Sequence, residues 1–319
     1  MKKTAAIIGA LGTVLALRVG LRYFLYHEVI DSDGKIFSII GNAVTKKKVG
    51  DGSGEEKEPD DRVTWFHNQK FEEYEIESDD GIKLKGYLLP AEKKTNRFVF
   101  CSHGYRSSGK DGFTLQTKFL HDQGLNVFLV DHRGCGESDG RHITFGNKES
   151  KDCIKWLNFL IEKFGDDIQI AIYGVSLGSA TVMMMTGDET LPDNVKFTVA
   201  DCGYTSAWNE FADVIDVMGP VKYPLLYGAN AFSKAIAGFD FKDTDALESV
   251  KHAKIPILFI HGGNDDFIKP TMCYELYEAT SAPAKDILIV DGAWHAKSYE
   301  TNSEIYEAKF KEYIDKYFD

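Results

Sequence analysis

Between residues 72 and 290 one pattern recurs: a short apolar run, a polar turn, and, in the later part, a stretch long enough for a helix. The strand-like runs are EEYEIES, IKLKGYLLP, RFVFCSH, NVFLVDH, QIAIYGV, FTVADCG, PILFIHG and DILIVDG. Segments such as Lys148–Phe164 separate the later ones, with Ile154, Leu157 and Ile161 recurring at helical spacing. Strands that are apolar at nearly every position are buried on both faces, and strands joined through helices run parallel. The pattern therefore predicts an α/β domain, a mostly parallel eight-stranded sheet with helices on both faces. A chain of 319 residues with 43% hydrophobic side chains can build this as one domain.

The formal net charge of −12 argues against nucleic acid as a partner, because phosphates are held by clustered Lys and Arg. The compact basic run Lys46–Lys48 reads as a solvated or membrane-proximal patch. Cysteines at 101, 135, 153, 202 and 273 lack the paired spacing of a zinc or redox motif, and an odd, unpaired set fits a reducing compartment. H-E-x-x-H, P-loop and EF-hand patterns are absent from the sequence, so it implies no metal and no cofactor.

The first 30 residues open with Lys2 and Lys3, run uncharged from Thr4 to Leu17, and continue as an apolar segment interrupted by Arg18 and Arg22. A cleaved signal peptide would want an A-x-A site, and only Val14-Leu15-Ala16 is present. A spanning helix needs about 20 apolar residues, which is met if Arg18 and Arg22, on one helical face, reach to the interface. We read residues 1–30 as an uncleaved membrane anchor; a signal peptide and a helix packed on the domain are the alternatives. Lys2 and Lys3 against Arg18, Arg22 and Lys35 barely favour a cytoplasmic domain, and the unpaired cysteines tip the orientation that way. Secretion, or a domain on the extracellular side, is the alternative. The stretch VGDGSGEEKEPDD has the composition of a solvated linker, so residues 31–63 are expected to lead into a domain that starts near Thr64.

Two serines sit between paired glycines, Ser138 in CGESDG and Ser176 in YGVSLG. Ligands bind at the carboxyl ends of parallel strands, where both serines lie. Ser138 falls well past NVFLVDH in a charged loop and starts no helix, which is the context of a turn former. Ser176 follows QIAIYGV without a gap and precedes the helix-compatible LGSATVMMMT. Strand, sharp turn and helix set a hydroxyl beside unpaired backbone N–H groups, and Gly174 and Gly178 remove Cβ atoms that would collide there. Ser176 is therefore the candidate nucleophile; the bland alternative is a helix cap.

A serine needs a base, and the base needs an orienting acid. His295, in DGAWHAKSY after the last strand, follows Ser176 in the chain order such sites use. His252 lies in a helix-like stretch, His261 opens a loop, and His103, His132 and His142 precede the serine. Strand-end candidates for the acid are Asp201, Asp265, Asp266 and Asp291. The segment from Tyr204 to about Lys254 is longer than one helix and its turns require, and it reads as a helical lid. Trp208, Phe211, Val214, Met218, Tyr223, Leu225, Leu226, Tyr227 and Phe232 are expected to divide between packing that lid and walling an acyl pocket.

The run His261-Gly262-Gly263-Asn264-Asp265 matches an H-G-x-x-D pattern after the seventh strand, and Asp131 to Ser138 matches D-x-R-G-x-G-x-S. From about Thr64 onward the chain thus resembles α/β-hydrolases of the serine aminopeptidase or esterase type, most closely bacterial members with an N-terminal hydrophobic segment. The resemblance implies the α/β-hydrolase fold and Asp265 as the acid, with Asp266 its solvated neighbour and Asp201 an alternative. It also implies an oxyanion hole made by the backbone N–H groups of Tyr105 and Leu177, a structural His103, and a scaffold role for the loop that holds Ser138. The expectation is a serine hydrolase that cleaves small-molecule carboxylic esters with short-to-medium acyl chains. A peptidase releasing N-terminal residues, with Glu210 or Asp213 holding the substrate's ammonium group, is one alternative. A non-catalytic binding protein on the same fold is the other.

Overall fold

The computed structural model describes residues 60–319 and, nearer the N-terminus, residues 20, 23, 24 and 26–34. Eight strands form one sheet: β1 (Glu72–Glu77), β2 (Lys83–Leu89), β3 (Arg97–Ser102), β4 (Asn126–Val130), β5 (Gln169–Val175), β6 (Val195–Asp201), β7 (Ile257–Gly262) and β8 (Lys285–Val290). Their order is β1-β2-β4-β3-β5-β6-β7-β8. The pairs β1–β2 and β2–β4 are antiparallel and all the others parallel. The expected eight strands and their mostly parallel sense are thus present.

The main helices are α1 (Asp61–His67), α2 (Gln116–Asp122), α3 (Asn147–Phe164), α4 (Leu177–Thr186), α5 (Ala207–Val214), α6 (Lys222–Phe232), α7 (Pro270–Ala279) and α8 (Ser303–Tyr317). Strand alternation sorts the core into two faces. Val99, Cys101, Ala171 and Tyr173 pack with Phe119 of α2 and Phe310 of α8. Phe98, Phe100, Ile170 and Ile172 pack with Trp156 and Leu157 of α3 and Val182 of α4. Each fully buried large apolar side chain contributes about 1.5–3 kcal/mol. Exposed pairs such as Lys155–Asp79 contribute about 0–1 kcal/mol. Apolar coverage of both faces therefore dominates what holds the sheet.

β1 is the open edge on one side. Glu72, Glu73, Glu75 and Glu77 are exposed along it, while Tyr74 and Ile76 turn inward.

Two boundaries differ from expectation. α1 begins at Asp61, ahead of Thr64, because the Asp60 carboxylate caps it by accepting the Arg62 N–H at 2.8 Å. Residues 31–34, expected to be linker, pack on the domain: Asp31 forms a β-bridge with His142, and Ser32 N–H donates to the Arg141 carbonyl at 2.8 Å. The rest of the expected linker, residues 35–59, lies outside the described residues. Among the described residues no helix is long and apolar enough to cross a membrane. Residues 1–19, 21, 22 and 25 of the expected anchor lie outside the described set, and its end differs from expectation: Tyr26 and Ile30 are buried in the domain's core, where the Ile30 carbonyl accepts the Ile143 N–H at 2.8 Å.

The long connection between β6 and β7 contains α5 and α6, as the lid expectation required. Its apolar residues divide unequally. Phe211, Leu225 and Leu226 are buried, whereas Met218, Tyr223 and Tyr227 are 40%, 48% and 55% exposed and so cannot wall a closed pocket. Tyr227 instead packs its ring against Trp208, at 4.9 Å between centroids, on the outer side of the lid.

Candidate active site

The site is built at the carboxyl ends of β5, β7 and β8. Ser176 follows β5 directly and adopts φ 57°, ψ −116°, a conformation that costs a non-glycine residue about 1–3 kcal/mol. What enforces it is the return of α4 against the sheet. A methyl group on Gly178 would lie 1.8 Å from the Ser102 carbonyl oxygen, and one on Gly174 would lie 2.1 Å from the Gly178 carbonyl. The Ser176 N–H donates to the Asp201 carbonyl at 2.8 Å, tying the turn to β6.

Ser176 Oγ lies 2.8 Å from His295 Nε2, and His295 Nδ1 lies 2.8 Å from Asp265 Oδ2. His295 reaches the serine from the loop after β8, and its ring lies 5.0 Å from that of Phe267. Asp265 sits in the loop after β7, where its Oδ1 accepts the N–H groups of Phe267 at 3.0 Å and Ile268 at 2.9 Å. His261 adds a contact that the sequence reading missed. Its Nε2 lies 3.3 Å from Asp265 Oδ2 and 2.9 Å from the Ile268 carbonyl. Burial alone would raise the Asp265 carboxyl, but the bonds from His261 and then His295 outweigh it and pull the group down to about 2. The signal for His261 lies in the H-G-x-x-D run itself, of which it is the first residue and Asp265 the last.

The alternative residues occupy other places. Asp201 turns its carboxylate to the Tyr306 hydroxyl of α8 at 3.0 Å, and burial pushes it up to about 6. Ser138 is fully engaged: its Oγ accepts the Lys85 N–H at 2.9 Å and donates to the Asp131 carbonyl at 2.7 Å. Asp213 is paired with Lys269 at 2.9 Å. Glu210 is buried, and both its carboxylate oxygens lack a hydrogen-bond partner among the described residues. Burial, with Asp213 and Asp265 adding to it, pushes Glu210 up to about 8.

Among the described residues, ligand atoms of Cys202, Asp265 and His295 lie within 4.8 Å of one another. The His295 and Asp265 atoms there are hydrogen-bonded to each other, and burial holds the Cys202 thiol well above its ordinary range.

Gly104 and Tyr105 run beside the serine: a methyl on Gly104 would fall 3.4 Å from Ser176 Cβ. Leu177 is the first residue of α4. From Tyr105 an aromatic row continues through Phe145 at 5.4 Å to Phe211 at 4.6 Å and Phe241 at 4.7 Å. The row ends at an apolar cavity of about 50 Å³ whose walls include Tyr26, Val29, Ile30, Val214, Leu225 and Phe241.

Comparison with known proteins agrees with this architecture. Residues 98–224 match a family described as the alpha/beta hydrolase fold. The uncharacterized protein YqkD of Bacillus subtilis is 27% identical over 317 residues, covering 99% of this chain and 98% of its own. An uncharacterized membrane protein of Saccharomyces cerevisiae, YNL320W, is 24% identical over 238 residues, covering 70% of this chain and 77% of its own. A solved esterase of Pyrococcus furiosus superposes with a TM-score of 0.64 at 20% identity, over 83% of this chain and 96% of that one. Sheet order, strand-to-helix turn and these likenesses together identify the chain as a protein of the α/β-hydrolase fold.

Proposed function

We propose that the protein is a serine hydrolase that cleaves carboxylic esters through an acyl-enzyme. The observation that carries this reading is the continuous chain Ser176–His295–Asp265, with both links at 2.8 Å and the serine on a strained strand-to-helix turn. Ser176 Oγ attacks the ester carbonyl carbon while His295 Nε2 takes its proton. The oxyanion that forms faces the N–H groups of Tyr105 and Leu177, each worth about 3 kcal/mol of barrier in sites of this type. Collapse breaks the carbon–oxygen bond, and His295 returns the proton to the departing alcohol. Water then adds to the acyl carbon by the same route, giving the acid and free Ser176. Asp265, anchored by two backbone N–H groups and held ionised, keeps the His295 proton on Nδ1.

The lining of the apolar cavity includes neither Ser176 nor His295, so the preference for a modest apolar acyl group rests on the apolar composition of the lid. An acyl chain that reached the cavity would find room for only a few methylene-sized groups in its volume of about 50 Å³. An ester is favoured over a peptide with a free amino terminus. Asp213 is already paired, and burial favours the neutral form of Glu210, so neither offers a ready counter-charge for an ammonium group. Attachment to a membrane belongs to the same reading and rests on the composition of the segment ahead of Tyr26, because Tyr26 and Ile30 are buried on the domain. The decisive experiment is fluorophosphonate labelling and p-nitrophenyl butyrate turnover of wild type beside Ser176→Ala. Both signals are expected to vanish in the variant, and labelling retained there overturns the assignment.

A further inference from the structure

The turn Gly104–Ser107 that runs past Ser176 is held from two sides. On the inside, His103 Nδ1 donates to the Gly104 carbonyl at 2.7 Å, and its Nε2 accepts the His132 N–H at 3.0 Å. On the outside the contacts come from the N-terminal segment. The Tyr105 hydroxyl donates to the Val29 carbonyl at 2.7 Å, and Arg106 Nη2 donates to the carbonyls of Glu28 at 3.0 Å and Asp31 at 2.6 Å. The Arg106 guanidinium lies over the Tyr105 ring, 4.8 Å from its centroid, so the two anchors brace each other. Arg106 is left-handed, φ 53°, a state that an arginine keeps only where its surroundings impose it. Gly34 seals the contact: a methyl there would lie 2.5 Å from Arg106 Nη2 and 2.6 Å from the Glu28 carbonyl.

The segment that provides these carbonyls is itself fixed to the domain. Ile143 N–H donates to the Ile30 carbonyl at 2.8 Å, and the Asp31 carboxylate pairs with Arg141 Nε at 2.7 Å. The connection from segment to turn is therefore unbroken hydrogen bonding.

We infer that residues 28–34 are a positioning element for the oxyanion turn, fixing Tyr105 and Arg106 so that the turn's backbone faces Ser176. Acylation of Ser176 then depends on the N-terminal segment being docked. The inference rests on the acyl-enzyme reading. Its physical basis is that a backbone donor stabilises the oxyanion only when held about 3 Å from it, so a small displacement of the turn costs rate without costing ground-state binding.

The test uses the full chain as wild type, Tyr105→Phe, Arg106→Met and Gly34→Ala. Three quantities are measured: Tm, kcat and KM for p-nitrophenyl butyrate, and the rate of Ser176 labelling by a fluorophosphonate. In all three variants kcat and the labelling rate are expected to fall about tenfold or more, with KM within about threefold of wild type. Tyr105→Phe removes one hydroxyl and decides the matter if Arg106→Met or Gly34→Ala does not fold. Labelling and kcat at wild-type levels, or a rise in KM with kcat unchanged, overturns the inference and leaves the hydrolase reading intact. Wild type that is not labelled at Ser176 overturns both.

Discussion

Glu210 and Asp265 are both buried acids, and they respond to pH with opposite signs. Glu210 titrates at about 8 in the fold and near 4.3 in an unfolded chain. Between those values the native state holds a proton that the unfolded state has lost, so stability falls by about 1.4 kcal/mol per pH unit as pH rises toward 8. Glu210→Gln should therefore raise Tm at pH 7 to 8 and leave it nearly unchanged at pH 4; melts across that range check it. Asp265, depressed to about 2, contributes stability that is complete above about pH 4 and is lost as pH falls toward 2. Asp265→Asn should lower kcat by about 10⁴, while Asp201→Asn, facing Tyr306, should keep turnover. A dead Asp201→Asn beside an active Asp265→Asn would reassign the acid. Ser138→Ala should lose about 1–3 kcal/mol, since it leaves the buried Lys85 N–H and Asp131 carbonyl short of a partner. Its kcat should stay near wild type, and denaturation beside steady-state kinetics separates the two effects. The sequence marked Ser176 because only glycines could flank that turn. It did not mark Glu210 as buried, because a charge in an amphipathic helix reads as surface.

At the scale of elements, the proposed ester preference is expected to depend on the lid. Leu225→Ala would enlarge the cavity by several methylene volumes, and each extra buried CH₂ contributes about 0.8 kcal/mol. Wild type should prefer short-to-medium chains in a p-nitrophenyl ester series from two to sixteen carbons, and Leu225→Ala should shift the optimum to longer ones. A flat profile in wild type, or faster cleavage of aminoacyl-naphthylamides, would favour the peptidase alternative. The central strands were legible because they are bounded apolar runs whose period-two pattern divides between two helical layers, and β1 because Tyr74 and Ile76 alternate with its glutamates. The lid was legible only as excess length. Its inward and outward aromatics share one composition, and what separates Phe211 from Tyr227 is which side of α5 and α6 meets the sheet. The docking of residues 28–34 was not legible, because its acceptors are backbone carbonyls that any sequence possesses.

For the whole molecule, the proposed attachment through the segment ahead of Tyr26 predicts that the full chain stays with membranes after carbonate extraction. Recovery from the medium of a processed form beginning after about residue 16 would count against both the anchor and its orientation. The acidic face of β1 carries a consequence for the protein in crowded solution. An open strand edge is a template on which a second molecule's edge can add, and repetition of that step makes fibres. Glu75 is paired with Lys83 and Lys85 and Glu73 with Lys110, so it is chiefly the Glu72 and Glu77 carboxylates that oppose a like copy brought alongside, at a cost that grows with each added strand. The defence is electrostatic, so strong salt or a pH low enough to protonate these glutamates should disarm it. Concentrated samples are then expected to form thioflavin-binding assemblies, and replacing Glu72 and Glu77 with valine should bring the same behaviour to neutral pH.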